Sequence, residues 1–214
     1  PEAKVFISDP SWENHRAIFE YAGFEVDSYP YYDALSRGVD FAAMKSGLNA
    51  LAAGSIVVLH ACCHNPTGAD LNEAQWREVV ETIRARGLVA FLDMAYQGFA
   101  DGIKEDAQVL QLFAASGLQF FVASSFSKSF SLYGERVGAL SVVTANRDET
   151  ARVMSQIKRV VRANYSNPPT HGGAIVAAVL ASAELRQLWE AELAEMRQRI
   201  LAMRVSLVDK LQGR

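Results

Sequence analysis

The sequence predicts an α/β fold built on a mainly parallel sheet, and three observations carry that prediction. Short apolar blocks recur along the chain, Ile56-Val57-Val58-Leu59 among them. Such blocks suit strands covered on both faces. Between them lie helical stripes, as where Trp76, Val79, Val80 and Ile83 fall at i, i+3, i+4 and i+7. The spacing from strand to helix to strand is that of crossover connections.

Taken in order, strands are expected over residues 4–8, 25–29, 55–60, 89–93, 119–124 and 138–144. The helix carrying Trp76 has a stop signal in Gly87. Residues 148–163 read as a further helix, and Pro168-Pro169 marks a break or the start of the next. From Ser182 on, Leu185, Trp189, Leu193, Met196, Ile200, Met203, Leu207 and Leu211 step by three and four. That is one amphipathic helix of roughly 30 residues, about 45 Å long, and helices of this length often bridge two bodies.

At 214 residues the chain is long enough for one large domain or two small ones. Half of it is hydrophobic and 21% is charged, an ordinary globular composition. A net charge of −3 leaves no basic footprint for nucleic acid or an anionic membrane. No apolar run reaches the roughly 18 residues of a membrane span. The only cysteines, Cys62 and Cys63, are adjacent, so a disulfide between them would strain the peptide. A reducing, cytoplasmic setting is the simplest expectation. The chain starts at Pro1 directly before a strand and ends within a helical pattern, so it is expected to be an internal fragment.

Three strand ends gather candidate chemistry. After 55–60 comes His60-Ala61-Cys62-Cys63-His64-Asn65-Pro66-Thr67-Gly68. Its cysteine and histidine spacing does not match zinc sites, so no metal is expected there. Asn-Pro-Thr-Gly suits a turn, which either only exits the strand or presents the Asn65 amide at the ligand-binding edge of the sheet. After 89–93, Asp93 is either a cap or a charge aimed into a site, and Tyr96 is either core or a phenol donor. After 119–124 comes Ser125-Phe126-Ser127-Lys128, with Arg136 eight residues beyond the lysine. Phe126 and Phe130 are poor company for a solvent-facing lysine, and a partly desolvated lysine can attack a carbonyl. An amine, a carboxylate with a phenol, an amide, and hydroxyls with a cation together suit pyridoxal 5′-phosphate.

These motifs resemble those of class I aminotransferases. So do Asp9-Pro10-Ser11-Trp12-Glu13-Asn14-His15 and Arg162-Ala163-Asn164-Tyr165-Ser166-Asn167-Pro168-Pro169. The resemblance is to the aspartate/aromatic branch, and Phe130-Ser131-Leu132-Tyr133-Gly134-Glu135-Arg136 with Arg162-Ala163-Asn164-Tyr165 looks closest to the bacterial aromatic-amino-acid (tyrosine) aminotransferases. The resemblance runs along essentially the whole chain.

It implies a three-layer α/β/α architecture, the large domain of fold type I pyridoxal-phosphate enzymes. Residues 1–181 would be the central part of that domain, and 182–214 a long helix leading towards a small domain. Lys128 would form a Schiff base with the cofactor and later shuttle a proton. Asp93 would hold the pyridine nitrogen protonated. Asn65 and Tyr96 would bond its 3′-oxygen, with Asn65 also on the substrate carboxylate. Trp12 would stack on the ring, where its plain reading is a core indole. Ser125, Ser127 and Arg136 would take the phosphate. Arg162 would act across a homodimer on the distal carboxylate of a dicarboxylic substrate. Cis peptides are implied before Pro10 and Pro66.

The implied activity is transfer of an amino group between an aromatic or dicarboxylic amino acid and a 2-oxo acid such as 2-oxoglutarate. The family's phosphate-binding glycine turn, a tyrosine donated across the dimer and the arginine for the α-carboxylate would lie outside this chain. The isolated chain is therefore expected to be weak or inactive. A related pyridoxal-phosphate lyase, or a non-catalytic chain keeping the fold, are the competing readings.

Overall fold

The computed structural model describes residues 2–212. In chain order the elements are β1 (Val5–Asp9), α1 (Glu13–Tyr21), β2 (Val26–Pro30), β3 (Tyr32–Asp33), β4 (Gly38–Val39), α2 (Phe41–Ala50), β5 (Ile56–His60) and α3 (Glu73–Arg86). They continue with β6 (Val89–Met94), α4 (Gln108–Ala115), β7 (Phe120–Ser125), β8 (Gly138–Val143), α5 (Arg147–Asn164), α6 (Thr170–Ala181) and α7 (Ala183–Gln212). All six expected strands form, each within a residue or two of its predicted bounds. The two-residue strands β3 and β4 pair antiparallel, and the sequence did not announce them.

The main sheet runs β2-β1-β5-β6-β7-β8. Its first five strands are parallel and β8 pairs antiparallel with β7, so the sheet is mixed and mainly parallel as expected. The chain leaves β1 for β2 on one side and returns to β5 on the other. That reversal opens a crevice beyond the carboxyl ends of β1 and β5, where ligands of open α/β sheets bind.

Burial explains why these strands stay in place. Val57, Leu59, Ala90, Leu92 and Val122 point to one face, and Trp76, Val79, Ile83 and Phe113 from α3 and α4 close over them. Each fully buried large side chain contributes about 1.5–3 kcal/mol. The smaller core on the other face joins Val5, Ile7 and Val58 to Phe19 of α1. Helix α3 begins with a reciprocal cap between Asn72 and Gln75, and ends at Gly87, whose φ of 63° satisfies the expected stop.

Helix α7 is 30 residues long. Only its first half docks. The Trp189 indole donates to Ser129 O at 2.6 Å and stacks on Phe130, with centroids 4.4 Å apart. Leu193 is fully buried, and Arg197 donates to Gly98 O at 2.8 Å. Further on, Met203, Leu207 and Leu211 are exposed. Among the described residues, no helix is long and apolar enough to cross a membrane.

Candidate active site

Parallel pairing brings the expected chemistry to one edge. Asp93 lies opposite His60 of β5 and Ala123 of β7, so the segments after these strands emerge side by side. The loop after β1 arrives at the same edge, since β1 neighbours β5.

The turn after β5 is fastened by a residue that the sequence analysis passed over. Asp70 accepts from Cys63 N and His64 N, both at 2.7 Å. This holds Cys63 at a φ of 51°, a left-handed backbone that a cysteine adopts only when its surroundings impose it. Gly68 N then closes the turn on His64 O at 2.7 Å. The peptides before Pro10 and Pro66 are both cis, as the resemblance implied.

Asp93 is the best-anchored group of the set. His15 Nε2 lies 2.7 Å from its Oδ2, and His15 Nδ1 lies 3.0 Å from Ser11 Oγ. This excludes the plain reading of Asp93 as a cap, because the carboxylate is aimed inward against a buried imidazole. His15 is a supporting residue that the sequence alone does not mark out. Its only signal is its place in the first turn of the helix that follows β1.

Two more imidazoles line up behind it. The His60 ring lies 5.0 Å from that of His15 and 4.3 Å from that of His64. Burial, then the neighbouring His15, pushes the His60 pKa down to about 4. Burial, then His60 and His15, pushes that of His64 down to about 3. Both rings are neutral at pH 7. His64 is bonded at both nitrogens, to Ser8 Oγ and Thr67 Oγ1, each at 2.8 Å.

Lys128 Nζ lies 5.0 Å from the centre of the Tyr96 ring, a cation–π separation. Burial, then the nearby Tyr133, Cys63 and Asp93, raises the Tyr96 pKa and keeps the phenol a hydrogen-bond donor. Both side chains line a cleft of about 480 Å³, together with Asn65, Tyr133 and Arg204 of α7. A larger apolar hollow of about 1040 Å³ lies between β8 and α5, lined by Leu140, Ile157 and Val160. It holds no carboxylate, lysine or histidine, so the smaller polar cleft is the one that can do chemistry.

The remaining predicted residues are distributed unevenly. Ser125 Oγ accepts from Ser127 N at 3.2 Å. Pairing of β7 with β8 sets Ser125 opposite Gly138, two residues after Arg136. Arg136 has a φ of 51° and donates to Tyr133 O. Trp12 is 39% exposed and edge-on to His15, so it is no core indole. Arg162 is the outlier: it sits exposed near the end of α5, bonded to Ser166 Oγ, and does not line the cleft. The cysteines separate too. Cys62 is buried, its thiol pKa pushed up by Cys63 and by burial, while Cys63 faces the cleft.

The loop carrying Tyr96 depends on a second overlooked acid. Asp106, 6% exposed, accepts from the backbone N–H groups of Gly98, Ala100, Asp101 and Gly102.

An amine, an anchored carboxylate, a phenol and an amide at one sheet edge are the donor set that decides the family. The model of aminotransferases class I and II matches residues 1–214. The chain belongs to this family. It is 66% identical over 211 residues to the aspartate aminotransferase of Pseudomonas aeruginosa, covering 99% of this chain and 53% of that protein. It is 54% identical over 211 residues to the aromatic-amino-acid aminotransferase of Escherichia coli, with the same coverage. Its fold superimposes with a TM-score of 0.98 on an aromatic-amino-acid aminotransferase from Burkholderia pseudomallei covalently bound to pyridoxal phosphate, at 68% identity, covering 100% of this chain and 53% of that one. The chain thus spans about half the length of the relatives it matches.

Proposed function

We propose that this chain is the cofactor-bearing part of an aminotransferase that moves an amino group between an aromatic or dicarboxylic amino acid and a 2-oxo acid such as 2-oxoglutarate. Residues 1–181 are the central part of its pyridoxal-phosphate domain, and the helix from 182 leads out of it. The observation that carries the reading is the convergence of Lys128, stacked over Tyr96, with Asp93, pinned by His15, at the ends of two adjacent strands.

The donor set fits pyridoxal 5′-phosphate, which supplies a carbonyl for the amino group and an electron-withdrawing ring. Lys128 is the amine that would hold the cofactor through its carbonyl and, when free, carry a proton at Nζ. Asp93, fixed in place by the His15 Nε2 that donates to it, would hold a proton on a ring nitrogen. Tyr96 and Asn65, which both line the cleft, would donate to the oxygen beside the carbonyl. Ser125 and Ser127 with Arg136 offer hydroxyls and a fixed cation to a phosphate. Trp12, exposed and edge-on to His15, would cover the ring. Arg162, exposed and outside its own cleft, would serve a partner's cleft in a homodimer and there pair a second carboxylate. This division of labour favours transamination over the lyase reading, since it provides for a dicarboxylic substrate.

The test is borohydride trapping of pyridoxal phosphate on the complete protein, located by mass spectrometry. Label confined to Lys128 and absent from Lys128→Ala is the expected result. Label spread over surface lysines and unchanged in the variant would refute it. An amino-donor panel read for 2-oxo acid formation then separates transaminase from lyase.

A further inference from the structure

Behind Asp93 the fold gathers more donors than an anchored carboxylate needs. One donor atom each from His15, His60 and Asp93 lies within 4.8 Å of the others. His60 is the unexplained member. Both of its ring nitrogens are buried, and neither has a hydrogen-bond partner among the described residues. A buried imidazole with no partner at either nitrogen asks for one.

We propose that, in the absence of cofactor, His15, His60 and Asp93 hold a divalent cation of the zinc class. Two imidazoles and one carboxylate form the three-ligand set of open zinc sites, in which the fourth position stays free. The supporting bond is already made: Ser11 Oγ sits 3.0 Å from His15 Nδ1, fixing the ring as partners of metal-bound imidazoles do. The protons balance without a co-reactant. His15 Nε2, which now donates to Asp93, gives its lone pair to the cation, and its proton moves to Nδ1, where Ser11 Oγ accepts it. The three ligands come from α1, the end of β5 and β6. Tetrahedral bonds of 2.0–2.1 Å put donors about 3.3 Å apart, so the widest pair must close by at most about 1.5 Å while the His15–Asp93 pair, now 2.7 Å apart, opens by about 0.6 Å. The zinc motif dismissed in the sequence shares only His60 with this site, because the thiols lie elsewhere.

One corollary rests on the proposed function. Asp93 cannot serve a cation and a cofactor ring nitrogen together, so cation and pyridoxal phosphate exclude each other. Cation binding itself does not depend on that reading.

Cobalt(II) is the probe, added to the cofactor-free chain and followed by its visible d–d absorption. One cobalt per chain, displaced by Zn²⁺, is expected, and His60→Ala, which removes a direct ligand, should weaken it by more than the about tenfold to hundredfold that loss of an outer-shell partner costs. Asp93→Asn should do the same, which guards against a His60 variant that misfolds. Absence of d–d bands would overturn the site. So would sulfur-to-metal charge-transfer bands that persist in His60→Ala and vanish in Cys63→Ser. Saturation with pyridoxal phosphate should abolish cobalt binding; binding that survives it would refute the shared use of Asp93.

Discussion

Replacing Asp106 tests how the Tyr96 loop is held. Its Oδ2 accepts from Gly98 N and Ala100 N, and its Oδ1 from Asp101 N and Gly102 N, at 2.7–3.2 Å. The bonds from Gly98 and Gly102 are buried. Asp106→Ala strands those two donors at about 1–3 kcal/mol each, while water can reach the other pair. A loss of about 4 kcal/mol follows. For a domain of this size that lowers Tm by roughly 8–16 °C. Asp106→Asn is the sharper variant. It is isosteric, but one oxygen becomes an NH₂ group facing two N–H donors, so about 2–4 kcal/mol should still be lost. Asp101→Ala, an exposed neighbour, should stay within about 0.5 kcal/mol. Urea unfolding followed by circular dichroism reads all three. An Asn variant within about 1 kcal/mol of the parent would refute the claim that the carboxylate organises this loop.

Three further outcomes are expected. Leu193→Ala empties the only fully buried position of α7 and should cost about 2–5 kcal/mol, with amide exchange in residues 183–197 accelerating before that of the sheet. Gly98→Ala should destabilise by about 2–4 kcal/mol, because φ is 93° and the added Cβ would lie 2.4 Å from Leu193 Cδ2; pairing it with Leu193→Ala should recover part of the loss in a double-mutant cycle. His60 and His64 have folded pKa values of about 4 and about 3, below the unfolded value near 6.5, so the unfolded chain binds more protons. Their contribution is complete above about pH 6.5 and is lost as pH falls towards those values, making the chain about 2–4 kcal/mol less stable at pH 5 than at pH 7; a flat profile over that interval would contradict the burial of neutral rings.

Much of the architecture was legible because local signals and tertiary needs agreed. Ile56-Val57-Val58-Leu59 is apolar on both sides, and the structure covers both sides. Gly87 had one plausible use, and the helix ends there. The candidate site residues Lys128, Asp93, Asn65 and Tyr96 were readable because each lies at or just after the carboxyl end of a strand, and parallel strands deliver those ends to one edge. What escaped were the supporting groups. Asp70, Asp106 and His15 act on backbone or side chains that only the folded chain brings near, and an isolated Asp or His carries no period or motif. The β3–β4 pair escaped for another reason: two-residue strands are too short to show alternation.

The half-docked helix has a mechanical consequence. Leu193 against Gly98 is a fulcrum, and the nineteen residues beyond Leu193, to Gln212, form an arm of about 28 Å. A tilt of about 5° at the fulcrum sweeps the tip by about 2.5 Å at that arm length. Ile200, Leu201 and Arg204 sit partway along the arm and form one wall of the cleft. They would move by proportionately less, so the tip of the helix travels farthest while the wall beside Lys128 shifts by about 0.9–1.4 Å.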